Sequence, residues 1–282
     1  MSRLEVGIKS GSPLQLYEAM WGPIYEAVLN ILGTTSTILP IGDFHHGQPN
    51  TTTFKTVGEE QITFTWSLPP ASFDTPLNLT SRDSYQGIVP IMTFNGIDEE
   101  AHSPDAAYWS RGDGSNDSPV SMGVWVKVGN IAAVTYMLAR WAVSNLEWLF
   151  GIDDSEQPLF IIRDDSAGAQ ANITSDTALT QDTWAYIVIT YDGTGGATAL
   201  ADPNAVIYIN GAKVASTITN NGSYVAMEDK TVTTGLGLDQ ADSVYFNGSM
   251  AGGPLGPFFS PTELSADAVL RLYEIGRRAL AL

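Results

Sequence analysis

The stretch Ser121-Met122-Gly123-Val124-Trp125-Val126-Lys127-Val128 decides how the rest of this chain is read. Successive side chains of a strand point to opposite faces, so Met122, Val124, Val126 and Val128 share one face and Trp125 and Lys127 the other. Five further runs have the same character: Ile88-Val89-Pro90-Ile91-Met92-Thr93-Phe94, then residues 147–152, 159–163, 184–191 and 206–209. The first leads into Asn95-Gly96 and the last into Asn210-Gly211, dipeptides that accept the positive φ of a tight turn. Strands this closely spaced, with turn signals between them, predict a mainly β chain folded as an antiparallel sandwich.

Helical spacing is confined to the two ends. Leu14, Tyr17, Met20, Trp21, Ile24, Tyr25 and Val28 recur at intervals that put them on one stripe of a helix, which Gly22-Pro23 should kink or split. Such a stripe reads as a core face or, since the polar sequence around it offers little core, as a face for assembly against a second copy or another subunit. Residues 33–82 are rich in Thr, Pro and Asn, with one alternating run that aligns Ile62, Phe64 and Trp66. They read as an extended arm carrying one or two strands. At the other end Val269, Leu272 and Tyr273 mark a short helix, with Ser265 as N-cap, Asp267 in the first turn, Arg277 and Arg278 at the carbonyl end, and Gly276 as its stop. The expected organisation is therefore residues 1–85 as helix and arm for attachment, and residues 86–282 as the sandwich.

Composition removes several classes of function. Asp and Glu total 31 against 13 Lys and Arg, a formal charge of −18, and a field of that sign repels phosphate backbones and anionic lipid. Nucleic-acid binding and membrane insertion are not expected. With no cysteine there is no disulfide, no thiolate metal site and no cysteine nucleophile. The opening Met1-Ser2-Arg3-Leu4-Glu5 lacks the basic and apolar regions of a secretory leader, so synthesis in a cytoplasm is expected.

Six fragments, in order, carry a resemblance: Phe94-Asn95-Gly96, Gly123-Val124-Trp125-Val126, Trp184 with Tyr191-Asp192-Gly193, Ile207-Tyr208-Ile209-Asn210-Gly211, Phe246-Asn247-Gly248, and Leu264-Ser265-Ala266-Asp267 with Leu272-Tyr273. Together they resemble the laminin-G-like branch of the concanavalin A-like lectin/glucanase superfamily, which implies a jelly roll used for binding. Trp125, Trp184 and Tyr208 are then scaffold. Residues 249–259, with 94–100 and 104–110, are similar in style to jelly rolls of tailed-bacteriophage virion proteins. That resemblance implies a capsid-decorating or fibre-type subunit, homo-oligomeric or bound to capsid or tail proteins, presenting a lectin-like domain to host glycans. A free calcium-dependent carbohydrate-binding module is the alternative.

Catalytic signatures are absent from the sequence. The superfamily's glucanases resemble one another in a Glu-x-Asp-x-Glu strand, whose two glutamates would share a face across a sugar; this chain has no such triplet, and Asp98-Glu99-Glu100 has the wrong spacing. A serine triad would need His45, His46 or His102, none of which accompanies a nucleophile elbow. We expect no enzyme. His45-His46 are adjacent, point apart on a strand and have no third ligand nearby in sequence, so they read as a polar loop. No motif demands a cofactor. The one ion the loops invite is calcium, through Asp113, Ser115 and Asp117 at alternate positions and the pair Asp153-Asp154, with Asp164-Asp165 as further oxygen donors. Arg111-Gly112-Asp113 spells an integrin-recognition tripeptide, a match too short to carry weight.

Overall fold

The computed structural model describes residues 13–42, 53–68, 85–86, 89–129, 133–220, 222–241 and 243–282. His45 and His46 lie outside them, as do the side chains of Leu14, Tyr17 and Met20. The elements form three layers: two helices, a ten-stranded sheet and a nine-stranded sheet.

In the ten-stranded sheet the main order is β15 (Ala212–Lys213), β14 (Ala205–Ile209), β13 (Trp184–Tyr191), β8 (Val120–Val128), β20 (Asn247–Ala251), β6 (Val89–Asn95) and β5 (Tyr85–Gln86). The first half of β8 also pairs with β21 (Phe258–Ser260), which carries β1 (Thr37–Ile38) and then β3 (Val57–Gly58). The nine-stranded sheet runs β16 (Ser216–Asn220), β12 (Ala169–Ser175), β11 (Pro158–Asp164), β10 (Asn145–Ile152), β9 (Thr135–Ala142), β17 (Thr234–Leu236), β7 (Glu100–Ser103), β4 (Thr63–Leu68) and β2 (Thr53–Lys55). A two-stranded ribbon, β18 (Leu238–Asp239) and β19 (Val244–Tyr245), stands beside it.

The alternation of β8 is realised as expected. Met122, Val124, Val126 and Val128 pack between the sheets with Ile187, Ile189, Phe94, Trp148 and Phe160, whereas Trp125 points the other way. The predicted turn at Asn210-Gly211 closes a two-residue hairpin with φ of 53° and 79°.

The N-terminal segment differs from its expectation. Phe54, Phe64 and Trp66 are buried between the sheets, with Phe54 stacked on Phe64 at 5.1 Å and Phe64 edge-on to Trp109 at 5.9 Å. Residues 53–68 are thus built into the sandwich, β2 and β4 in the nine-stranded sheet and β3 in the ten-stranded one, rather than trailing as an arm, because their aromatic face completes the interior. The first helix, α1 (Pro13–Leu32), is continuous through Pro23. Gly22 and Pro23 face outward, where water can take the carbonyl that proline leaves without a donor.

Trp21, Tyr25, Val28 and Leu32 form the buried stripe of α1, and Ile24 packs beside them. Their partners belong to the same chain: Val89, Ile91, Leu255, Phe258 and the second helix, α2 (Ala266–Ala279). The described part of the stripe is therefore spent on the sandwich itself and is not a free assembly face. In α2 the Ser265 hydroxyl accepts the Ala268 amide, as an N-cap should.

Gly276 does not end that helix, which runs on to Ala279. It is needed for a different reason: a Cβ there would lie 2.0 Å from Trp125 Nε1 and 2.5 Å from Trp125 Cε2. The indole is stacked between Tyr186 (5.2 Å) and Tyr273 (5.5 Å) and has no room to retreat. In an exposed helix Gly→Ala stabilises; here Gly276→Ala should destabilise the fold by about 1–3 kcal/mol through overpacking, measurable as a lower urea midpoint with unchanged m. A gain in stability would mean that α2 does not seat on Trp125.

Candidate functional site

The acidic residues expected to hold calcium make hydrogen bonds within the fold. Asp113 Oδ1 accepts the amides of Ser115 (2.8 Å) and Asn116 (2.7 Å), closing its own turn, and these bonds hold its carboxyl below the ordinary aspartate range. Ser115 is exposed beside it. Asp153 does the same in another turn, accepting Ser155 N at 2.9 Å and Gln157 N at 2.8 Å, while Asp154 Oδ1 lies 3.5 Å from Ser155 Oγ. Asp117 is taken by the Tyr191 and Tyr224 hydroxyls and the Met227 amide.

The two groups also lie apart. Asp117 and Asp164 accept neighbouring amides, Met227 N and Val225 N, at one end of the sandwich, whereas Asp153 follows Ile152 and pairs with Gln157 at the other. The seven residues of β11 between those ends span about 20 Å at a strand's rise. Among the described residues no group of three His, Asp or Glu side chains converges as a metal requires. Arg111-Gly112-Asp113 is not a presented tripeptide either: Arg111 Nε donates to Ser110 O and its guanidinium lies over Phe259 at 5.9 Å.

What these carboxylates build is a closure. Residues 222–233 cross one end of the sandwich without regular structure. Three of their amides, Val225, Met227 and Lys230, are accepted by Asp164 Oδ2 (3.1 Å), Asp117 Oδ1 (2.7 Å) and Glu147 Oε1 (2.9 Å). Glu147 is the extra residue of a β-bulge between Leu146 and Trp148, which turns its carboxyl inward to a fully buried pair with Arg140 at 2.7 Å. Arg140 then donates to Lys230 O and Val232 O, both at 2.9 Å, and to Ser110 Oγ and Asp105. Main-chain groups that no strand satisfies are thus paired with side chains.

Burial raises the carboxyls of Asp117 and Glu147 despite these bonds, so the ionised form is the costly one in the fold. The stability each contributes is complete below its unfolded value and is lost as pH rises through its higher folded value. Their contribution to stability should therefore grow as pH falls from neutrality toward the unfolded carboxyl range, and Asp117→Asn should flatten that part of the melting-temperature profile while keeping its hydrogen bonds. Asp117→Ala, which strands the buried Tyr224 hydroxyl and the Met227 amide while Tyr191 keeps its bond to Thr194 O, should cost about 1–3 kcal/mol at every pH. An Asp117→Asn slope equal to the parent's would contradict the assignment.

The surface left open is the outer face of the nine-stranded sheet. One row crosses all nine strands: Thr219, Asn172, Ile161, Leu149, Ala139, Gly235, His102, Thr65 and Thr53. The β18–β19 ribbon covers its middle through Ala241 and Val244, which pack on Tyr136, Ala139, Trp141 and Leu149. Beyond the ribbon the face is polar: Arg163 pairs with Gln170, Asn172 with Thr219, and Thr174 with Thr217. None of these was singled out from the sequence. The signal was available in residues 159–163, where Leu159, Ile161 and Arg163 share the face opposite Phe160 and Ile162. Of the scaffold aromatics, Trp125 and Tyr208 are buried, and Trp184 lies under Lys127 at 5.9 Å.

At the far side of the face His102 has neighbours that mimic a triad, Ser67 Oγ at 3.5 Å and Glu100 Oε2 at 3.8 Å. Both approach Nδ1. A triad needs the serine and the carboxylate on different ring nitrogens, so this arrangement cannot relay a proton as placed.

A family model described as concanavalin A-like lectin/glucanases superfamily matches residues 103–252, just over half of the chain. Among solved structures, the botulinum neurotoxin serotype G binding domain superposes with a TM-score of 0.55 at 14% identity, over 86% of this chain and 51% of that one. The binding domain of botulinum neurotoxin DC, solved with rat synaptotagmin II, gives 0.52 at 11% identity, over 84% and 50%. The Trypanosoma rangeli sialidase, solved with the inhibitor DANA, gives 0.50 at 11%, over 92% and 38%. This chain spans about half the length of the toxin domains, and likeness at such identity is likeness of fold. No curated protein sequence matches it. The jelly-roll architecture and the matched family model together make the chain a member of the concanavalin A-like lectin/glucanase superfamily.

Proposed function

We propose that this protein is a non-enzymatic virion structural subunit, of the capsid-decorating or fibre type, that presents a lectin-like face to glycans of a host surface. The observation that carries the binding half of this reading is the asymmetry of the sandwich. One sheet is sealed by α1 and α2, whereas the other exposes a broad polar face. Along the described strands of that face the acidic side chain is Glu100, and glycoside hydrolysis ordinarily needs two carboxyls flanking the scissile bond. Threonine hydroxyls and the amides of Asn172 and Gln170 suit hydrogen bonding to sugar hydroxyls instead.

The particle half is supported by the style of residues 94–100, 104–110 and 249–259, and by the acidic composition, which favours solubility at a crowded surface. The helices do not supply it, since the described stripe of α1 is consumed within the chain.

Purified chain should be retained by a glycan array and release no reducing sugar from the glycans that retain it. The protein recovered from its natural source should sediment with particles. Released sugar would overturn the non-enzymatic reading, and recovery solely as a free protein would overturn the virion role.

A further inference from the structure

Arg163 is anomalous in a chain with 18 more acidic than basic residues. Most described cations with any burial are matched: Arg140 by Glu147 and Asp105, Lys230 by Glu228 and Asp165, Arg277 by Glu274, Arg111 by the Phe259 ring and Lys127 by the Trp184 ring. Arg163 is partly buried, yet among the described residues no carboxylate lies within ion-pairing distance and no ring lies beneath it. Its one hydrogen bond is a long one, Nη1 to Gln170 Oε1 at 3.3 Å, and Nε has no partner.

The surroundings explain why the chain cannot supply a counter-charge. Strand alternation places Arg163 on the outer face beside Ile161, with Gln170 opposite and Asn172 on the diagonal. The acidic Asp164 that follows it turns to the inner side and accepts Val225 N. A partly desolvated guanidinium without a counter-ion carries a cost that the fold leaves uncompensated. Asn172 Oδ1 is likewise buried without a partner.

We infer that Arg163 is the centre of an anion-reading subsite on the open face, and that the glycan bound there carries a carboxylate or sulfate group. The inference rests on the glycan-binding reading above and names the ligand's chemistry. The guanidinium meets the acidic group. Ile161, one row along, offers an apolar step to a sugar ring, and Asn172 with Thr219 offers hydrogen-bonding groups beyond it. Three strands at about 4.8 Å and rows about 7 Å apart give a platform of about disaccharide size. A planar guanidinium accepts a carboxylate through two parallel N–H donors, which lysine cannot reproduce.

The test titrates full-length chain with 3′-sialyllactose, a sulfated disaccharide and lactose, comparing the parent with Arg163→Gln, Arg163→Lys and Lys55→Gln. Lys55 lies at the opposite edge of the same sheet and controls for net charge. Thermal melts confirm that each variant is folded. The parent should bind at least one acidic probe at least tenfold more tightly than lactose. Arg163→Gln should lose about tenfold or more of that affinity, Arg163→Lys an intermediate amount and Lys55→Gln little; which acidic probe binds separates carboxylate from sulfate. Equal binding of lactose and the acidic probes, or binding unchanged in folded Arg163→Gln, would overturn this subsite while leaving glycan binding intact. A parent that binds no glycan on an array would overturn both.

Discussion

A sheet whose two faces are both buried governs this molecule. β8 sits at its centre, sending Met122, Val124, Val126 and Val128 into the space between the sheets and Trp125 out of it. An outer face that carries tryptophan, Tyr186, Val188 and Phe258 cannot be left in water, so the chain must bring cover to it. Both helices are that cover. They come from opposite ends of the sequence and meet over the same sheet, with Gly276 against the indole as the point of closest approach.

The second sheet answers a different demand. Its inner face packs into the core with Arg140, Glu147 and Asp164 buried toward one end, but its outer face bears threonines, amides and one arginine beyond the short ribbon. The end of the sandwich is closed not by strand pairing but by carboxylates that accept main-chain amides of residues 222–233. Several of the acidic residues in the loops are thus engaged with main-chain amides of their own or neighbouring turns.

Strands with clean periodicity were legible from residue order alone. The run 184–191 is a strand over its full length, and the alternation of 121–128 predicted which side chains meet the other sheet. β9 was not, because a bulge near Met137 breaks its period and both of its faces are buried. β12 hides its inward face behind Ala169 and Ala171, which alternation on bulky residues does not register. Residues 53–68 read as an arm because their attachment to the sheets is not local: β4 joins β7, and β3 is held through β1, which pairs with β21 near the other end of the chain. Gly276 looked like a stop signal because a close approach by a distant tryptophan leaves no mark on local sequence. The polar face failed to announce itself for a similar reason: Arg163, Gln170, Asn172 and Thr219 come from three strands and become neighbours only through register.

We propose that ligands meet this protein on the outer face of the nine-stranded sheet. Amide chemical-shift mapping during a glycan titration tests it most directly. The account predicts perturbations concentrated at residues 159–163, 170–174 and 217–219. Perturbations concentrated instead at residues 111–118 and 223–232, or on α1 and α2, would contradict it.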